Sequence, residues 1–458
     1  MMNSNETDKL KKEVLKSLIM LSIPTILEEM LATLLQYVDT AMVGRLGENA
    51  TASVSVTTTV TWLIYSVPAA LAVAALSMIA KAVGSGDRER IRRISSQMFV
   101  LAVASGLLMG CVSLALSPYI PIWMGADVSI QRQASVYFFI ICIPMPFRVC
   151  NSILGASIRA TKDTKTPMLI NLSANILNVV LNYLLIYTFG LGVTGAAVAT
   201  AISYVVSGIC MFVAYRRNQL LYWEWRSFKA DGAILRDCAK ISIPVLGTNV
   251  ASCFGYVVFA SLVTGMGNTI FAAHSIAVTA ETIFYIPGYG LRTATSALIG
   301  ISLGEGNRKK FETVSSLSVF ITMGMMFLSG AILYLCAYPL MSLFTNSEQV
   351  ARIGADMLKL VAFSEPFFGL MVVMEGIFYG LGRSRYPFFV ETLSMWGVRI
   401  LLTFVCVRIW NLGIREVWYC MIADNVCKAV LLAFPILCKN YRKNLFPVDS
   451  CAGEESMI

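Results

Sequence analysis

Charge is what this sequence has least of. Only 14% of its 458 residues are Asp, Glu, Lys or Arg, against about 25% in soluble domains. No polar stretch is long enough to form a separate soluble domain. There is one histidine, His274, and no H-E-x-x-H, so the zinc and acid–base chemistry of a membrane enzyme lacks its usual residues. No Lys-Ser or Lys-Thr follows Gly84 and Gly86 or Gly304 and Gly306, which argues against a phosphate loop and against ATP-driven transport within this chain. The twelve cysteines include no C-x-x-C and lie scattered through apolar segments. They read as small buried hydrophobes, not as a disulfide framework or a metal site.

Apolar residues fill the space that charge leaves. They make up 57% of the chain, and the mean hydropathy is +0.70. The opening MMNSNETDKLKKEVLK is polar and runs into a full-length apolar segment, unlike a cleaved signal peptide. A spanning helix needs about 20 apolar residues, and twelve such segments are predicted. They cover about 18–43, 52–82, 98–116, 134–156, 168–189, 193–215, 241–263, 270–301, 317–337, 353–380, 387–406 and 414–437. The odd connections are nearly free of Lys and Arg. The even ones hold Arg88, Arg90, Arg92 and Arg93, then Arg159, Lys162 and Lys165, then Arg216, Arg217, Arg226 and Lys229. After these come Arg308, Lys309 and Lys310, then Arg383 and Arg385, and Lys439, Arg442 and Lys443 in the tail. The positive-inside rule places these connections and both termini in the cytoplasm, and the net charge of +9 follows from topology, not from nucleic-acid binding.

The chain is written twice. Ser22-Ile23-Pro24 returns as Ser242-Ile243-Pro244, and Gly47 as Gly267. Ser55-Val56 returns as Ser275-Ile276, and Gly84-Ser85-Gly86-Asp87-Arg88 as Gly304-Glu305-Gly306-Asn307-Arg308. Pro146-Phe147 and Pro167 return as Pro366-Phe367 and Pro387. The spacing is 220 residues, with one small slip between the second and eighth segments. Six spans per repeat is an even number, so both halves enter the membrane in the same orientation and are related by an axis along its normal. Two lobes, 1–220 and 241–458, are expected to leave a cleft and to rock for alternating access. A cytoplasmic link at 221–240 carries Trp223 and Trp225, which suit an interfacial helix.

The two copies differ in acids. The first span carries Glu28, Glu29 and Asp39, and its repeat has no acid after Pro244. A carboxylate within a span is costly, so Asp39 is a functional candidate; Glu28 lies three turns from it on the same face. The fifth span holds Asn171, Asn175, Asn178 and Asn182 at i, i+4, i+7 and i+11, one stripe down a helix. Such a stripe serves either as interhelical glue or as ligands beside a carboxylate. Arg148 and Asn151 on the fourth span and Thr200 on the sixth add polar groups, and Arg148 is a counter-charge for Glu28 or Asp39 or part of a structural ion pair. In the second half the acids are Glu281, Glu365, Glu375, Glu391 and Asp424. Asp424 and Lys428 are an i,i+4 pair, while Glu281 and Glu365 have no local partner and are candidates for contact with a cationic substrate. His274 is expected at an interface, near a helix start.

The stretch Tyr37-Val38-Asp39-Thr40-Ala41-Met42-Val43-Gly44-Arg45-Leu46-Gly47 resembles the first-helix signature of multidrug and toxic compound extrusion (MATE) transporters. LGVTGAAVATAIS at 191–203 is similar to their sixth helix. Ala272-Ala273-His274, Pro287-Gly288-Tyr289-Gly290 and Met395-Trp396-Gly397-Val398-Arg399 resemble bacterial members. The resemblance covers essentially the whole chain. It implies an all-α membrane protein of twelve transmembrane helices in two pseudo-symmetric lobes forming a V-shaped cleft, and cation-coupled export of lipophilic, often cationic compounds. The family's first-lobe cation site carries over onto Asp39, Asn178, Asn182 and Thr200. Some members have an aspartate where this chain has Asn182, which leaves Asp39 as the carboxylate of that site. Many carry an acid in the seventh helix, where this chain has Ser252, so a second-lobe cation site is in question.

The expectation is therefore a plasma-membrane antiporter with both termini cytoplasmic. It is not an enzyme, acts as a monomer, works in a lipid bilayer on small organic substrates, and needs no cofactor beyond Na⁺ or H⁺. Four oxygen-bearing side chains suit Na⁺ better than a proton, which needs Asp39 alone. Glu28, Tyr37, Asn151, Asn175, Glu281 and Glu365 are expected to line the substrate cavity, and Pro24 to bend the first helix. A major facilitator type transporter and a flippase for lipid-linked precursors are the alternatives.

Overall fold

In a computed structural model, residues 4–222 and 230–438 are described. Trp223, Trp225 and the basic tail residues from Lys439 lie outside them. The described chain is helical almost throughout. Among the described residues, ten helices are long and apolar enough to cross a membrane, and two bent pairs bring the number of spans to twelve. The bent pairs are Val128–Cys142 with Met145–Ala160, turned by 49°, and Glu348–Ala362 with Glu365–Gly380, turned by 57°. They are the fourth and tenth spans, where the repeated Pro146 and Pro366 fall. Proline has no N–H to continue the ladder, and its ring clashes with the preceding turn, so both breaks have the same cause.

Several helices outrun the bilayer. Glu48–Ser85 has 38 residues and Asn268–Gly304 has 37, where about 20 would suffice. Both end at their basic connections. There the repeat shows in the backbone: Gly86 and Gly306 have φ of 69° and 65°, a left-handed turn that glycine adopts without steric cost. Asp87 then accepts from Arg90 N at 2.9 Å, and Asn307 from Lys310 N at 3.0 Å, so each caps the next helix. These glycines end helices, as their sequence context predicts.

The fold contains wide turns that no hydrophobic period signals. The fifth span passes into π-helix at Tyr183–Thr188, and the eleventh does so twice, at Met395–Ile400 and Val405–Ile409. Each wide turn takes up an extra residue. The spacing of the repeat also grows by one residue along this span: Pro167 and Pro387 are 220 apart, but Leu191-Gly192 and Leu412-Gly413 are 221 apart.

Two compact units are present. One comprises 19–256, the other 1–18 with 257–458. In the second, Phe259, Leu333, Met341, Leu358 and Trp418 form an apolar core. Its ninth span turns Phe320, Phe327, Leu335 and Leu343 outward, each more than two-thirds exposed, the surface that lipid rather than water would cover. Helices approach closely where side chains vanish: a Cβ on Gly330 would stand 2.4 Å from the Ala362 carbonyl oxygen, at the break in the tenth span.

Candidate functional site

Asp39 lies near the end of a helix, Ser4–Gly44, that Pro24 does not interrupt. The proline leaves a carbonyl one turn earlier without its usual donor, while Thr25 bonds back to the Leu21 and Ser22 carbonyls at 3.1 and 2.9 Å. Farther along, Asp39 meets the fifth span. The Asn182 amide donates to Asp39 Oδ1 and also to Asn178 Oδ1, the latter at 3.2 Å. The Asn178 amide donates to Thr200 Oγ1 at 3.2 Å. Three helices thus supply one hydrogen-bonded row, Asp39–Asn182–Asn178–Thr200. Asn182 is fully buried, and its Oδ1 has no hydrogen-bond partner among the described residues. No Lys, Arg or His pairs with Asp39 among them either.

Glu28 has a different neighbourhood. Arg159 Nη2 reaches its Oε1 at 2.6 Å, and the Asn171 amide donates to the same oxygen at 2.5 Å. Asn151 in turn donates to Asn171 Oδ1 at 3.0 Å. The asparagine stripe therefore divides, Asn171 serving Glu28 and Asn178 with Asn182 serving Asp39. Asn175 lies half-buried between them with no side-chain hydrogen bond to a described residue. Tyr37 is half-buried too, two residues from Asp39 and so on another face of the helix.

Two expectations are corrected here. Arg148 is not the counter-charge of either acid: its guanidinium sits between the rings of Tyr65 and Tyr204, 4.6 and 4.7 Å from their centroids. The partner of Glu28 is Arg159, which the sequence assigns to a cytoplasmic connection. The helix Met145–Ala160 runs on far enough to hold it. Arg159 follows Asn151 by eight residues, close to the same face, and that is the signal that would have found it.

In the second unit, Asp424 accepts from Lys428 and faces Arg399, both at 2.9 Å, with the Ser394 hydroxyl at 2.6 Å. Arg292 pairs with Glu375 at 2.9 Å. Glu281 and Glu365 are each 1% exposed. Neither oxygen of Glu365 has a hydrogen-bond partner among the described residues. His274 is not interfacial, a further correction. It is buried, with the rings of Phe259 and Trp418 at 5.6 and 5.7 Å, because its side of the helix faces the apolar core beside Ala273 and Ala277.

The repeat register shows how the units diverged. Asp39 corresponds to Phe259. With Leu172-Ser173 matched to Leu393-Ser394, Asn178 corresponds to Arg399 and Asn182 to Thr403. Arg399 indeed lies 5.8 Å from the Phe259 ring. Where the first unit has a carboxylate and amides, the second has an aromatic ring and a guanidinium already paired with Asp424.

Fold and site define an all-helical, multi-pass membrane protein of two repeated halves, one of which sets a half-buried carboxylate beside buried amides. The MatE family model matches residues 24–184 and 244–405, one match in each half, and this chain belongs to that family. It is similar to the probable multidrug resistance protein NorM of Thermotoga maritima, 28% identical over 431 residues that cover 92% of this chain and 91% of that one. It is also similar to the multidrug resistance protein MdtK of Edwardsiella ictaluri, 25% identical over 83% of this chain and 85% of that one. Among solved structures, a MOP superfamily transporter from Pyrococcus furiosus superposes with a TM-score of 0.89 at 23% identity, over 97% of this chain and 99% of that one. A MATE crystal structure in a bent conformation does so with 0.89 at 22%, over 97% and 100%. These superpositions establish the fold.

Proposed function

We propose that this chain is a cation-coupled antiporter that exports lipophilic, often cationic compounds by alternating access, with both termini in the cytoplasm. One observation carries the reading: Asp39 accepts from the Asn182 amide and has no basic side chain to neutralise it among the described residues, whereas Glu28 on the same helix is paired with Arg159. A carboxylate left in that condition is completed by a cation that comes and goes. Na⁺ is the coupling ion we favour. Side-chain oxygens of Asp39, Asn178, Asn182 and Thr200 make a hard donor set, and the unpartnered Asn182 Oδ1 is an oxygen that a cation would satisfy.

The substrate's sign follows from the buried charges. Among the described residues, the buried acids Glu28, Glu375 and Asp424 are met by Arg159, Arg292, Arg399 and Lys428, which leaves the buried Glu281, Glu365 and Glu391 without an ion pair. That balance favours cations over the anionic lipid-linked precursors of a flippase. Within the second unit, Glu281 and Glu365 are the groups we assign to substrate contact. The test uses proteoliposomes loaded with a fluorescent organic cation, with a sodium gradient or a pH gradient imposed separately. Sodium-driven efflux is expected. Efflux driven by pH in sodium-free buffer, and indifferent to sodium, would replace Na⁺ by H⁺ and leave Asp39 as the coupling residue.

A further inference from the structure

Cys406 and Cys420 bring their sulfurs to 3.8 Å. They come from adjacent spans, Cys406 from the wide turn Val405–Ile409 and Cys420 from the helix Ile414–Leu437. Both are buried, at 8% and 6% exposure. No other sulfur–sulfur contact is seen among the eleven described cysteines. A disulfide has its sulfurs about 2.05 Å apart, so closing the bond needs a further approach of about 1.8 Å.

The wide turn is what aims Cys406. The Trp410 N–H bonds to the Val405 carbonyl five residues back at 3.0 Å, and the Leu412 N–H closes on the Cys406 carbonyl at 2.9 Å. Between the two thiols runs a short connection in which Trp410 is 64% exposed. It is an odd connection, at the end of the spans away from the arginine-rich loops. On the proposed topology it faces the exterior, where disulfides persist.

We propose that Cys406 and Cys420 form a dithiol–disulfide site that, when oxidised, staples the eleventh span to the twelfth. The oxidant is a small-molecule disulfide. One cysteine thiolate attacks it, forming a mixed disulfide and releasing one thiolate. The second cysteine thiolate then attacks the protein sulfur of that mixed disulfide, closing the Cys406–Cys420 bond and expelling the other thiolate. Two protein thiols lose two protons and two electrons, and the oxidant becomes two thiols. Burial makes the first attack wait for local opening of the turn. Closure pins the wide turn in place and ties a loop of about 15 residues, which restricts the unfolded chain.

The experiment uses the purified full chain in detergent, equilibrated with oxidised and reduced glutathione at graded ratios, alkylated and digested with trypsin. Cleavage after Arg399, Arg408, Arg415 and Lys428 puts the two cysteines on separate peptides, 400–408 and 416–428. Because Cys427 shares the second peptide, the Cys427→Ser protein is the background. The expected result is a linked peptide pair that grows with the oxidised fraction and disappears in Cys406→Ser and in Cys420→Ser. The oxidised protein should also unfold at a higher temperature than the reduced one. Peptides that stay unlinked at every ratio overturn the proposal, as do peptides linked without any shift in unfolding temperature. The measurement on the Cys427→Ser background decides the matter even if a second serine substitution prevents folding.

Discussion

Arg159 closes on Glu28 at 2.6 Å across 131 residues of chain, and the two side chains are only 17% and 10% exposed. Three turns along the same helix, Asp39 receives only an amide. One acid is neutralised by the protein itself; the other is not.

Replacing Asp39 by Asn preserves the side-chain shape and removes the charge. Gradient-driven efflux in proteoliposomes should fall to background, while expression and thermal unfolding stay near those of the parent. Substituting Glu13, an exposed acid near the N-terminus, should leave efflux intact. Efflux retained in the Asp39→Asn protein would remove the carboxylate from the mechanism.

Glu28→Gln leaves the Arg159 guanidinium without its counter-charge. Breaking one partner of a buried pair costs about 3–5 kcal/mol, so a clear drop in unfolding temperature is expected. Arg159→Met alone should be comparably harmful. The double variant should recover part of the loss, and a thermal-unfolding cycle over the four proteins measures the coupling. Strictly additive losses would mean that the pair contributes no coupling to the fold.

Pro24→Ala restores one backbone donor to the first helix. Binding of the organic cation should change little, whereas turnover should slow, because the weakened ladder is where we expect the helix to bend during export. Stopped-flow efflux compared with equilibrium binding separates the two quantities. An unchanged turnover number would remove the bend from the cycle.

Asp127 lies in a connection, outside the spans, and caps the helix Val128–Cys142 by accepting from Ser129 N at 2.8 Å. Hydrogen bonds to Ser129 hold its carboxyl below the usual range. A depressed pKa contributes stability above the unfolded-state value and loses it as pH falls through the folded one. Protection of the Ser129 amide, measured as its exchange rate relative to the intrinsic rate at each pH, should fall below about pH 4 and show no such fall in an Asp127→Ala protein. Equal acid sensitivity in both would place its cause elsewhere.

The spans were legible because hydropathy and the basic connections leave few alternatives, and the repeat because its turns depend on residues such as Gly86 and Gly306. The row of Asn178, Asn182 and Thr200 beside Asp39 was legible through helical spacing and a family resemblance. Arg159 was not: its number puts it beside a loop, and its partner lies on another helix. His274 was misread because position along a helix does not tell which side faces the core. The wide turns escaped for a similar reason, since a change in hydrogen-bond offset leaves apolar periodicity nearly untouched.

Those turns carry a consequence for how the two halves could drift apart after duplication. An extra residue inserted in an ordinary helix rotates every side chain beyond it by about 100°, which would turn a lipid-facing row inward. A wide turn absorbs the residue locally and returns the helix to phase. The eleventh span has one more such turn than the fifth, at Met395–Ile400, and its one extra residue lies just ahead of it, between Pro387 and Leu393. Length could therefore change without scrambling either face, and the inherited architecture survived while its interior chemistry was rewritten.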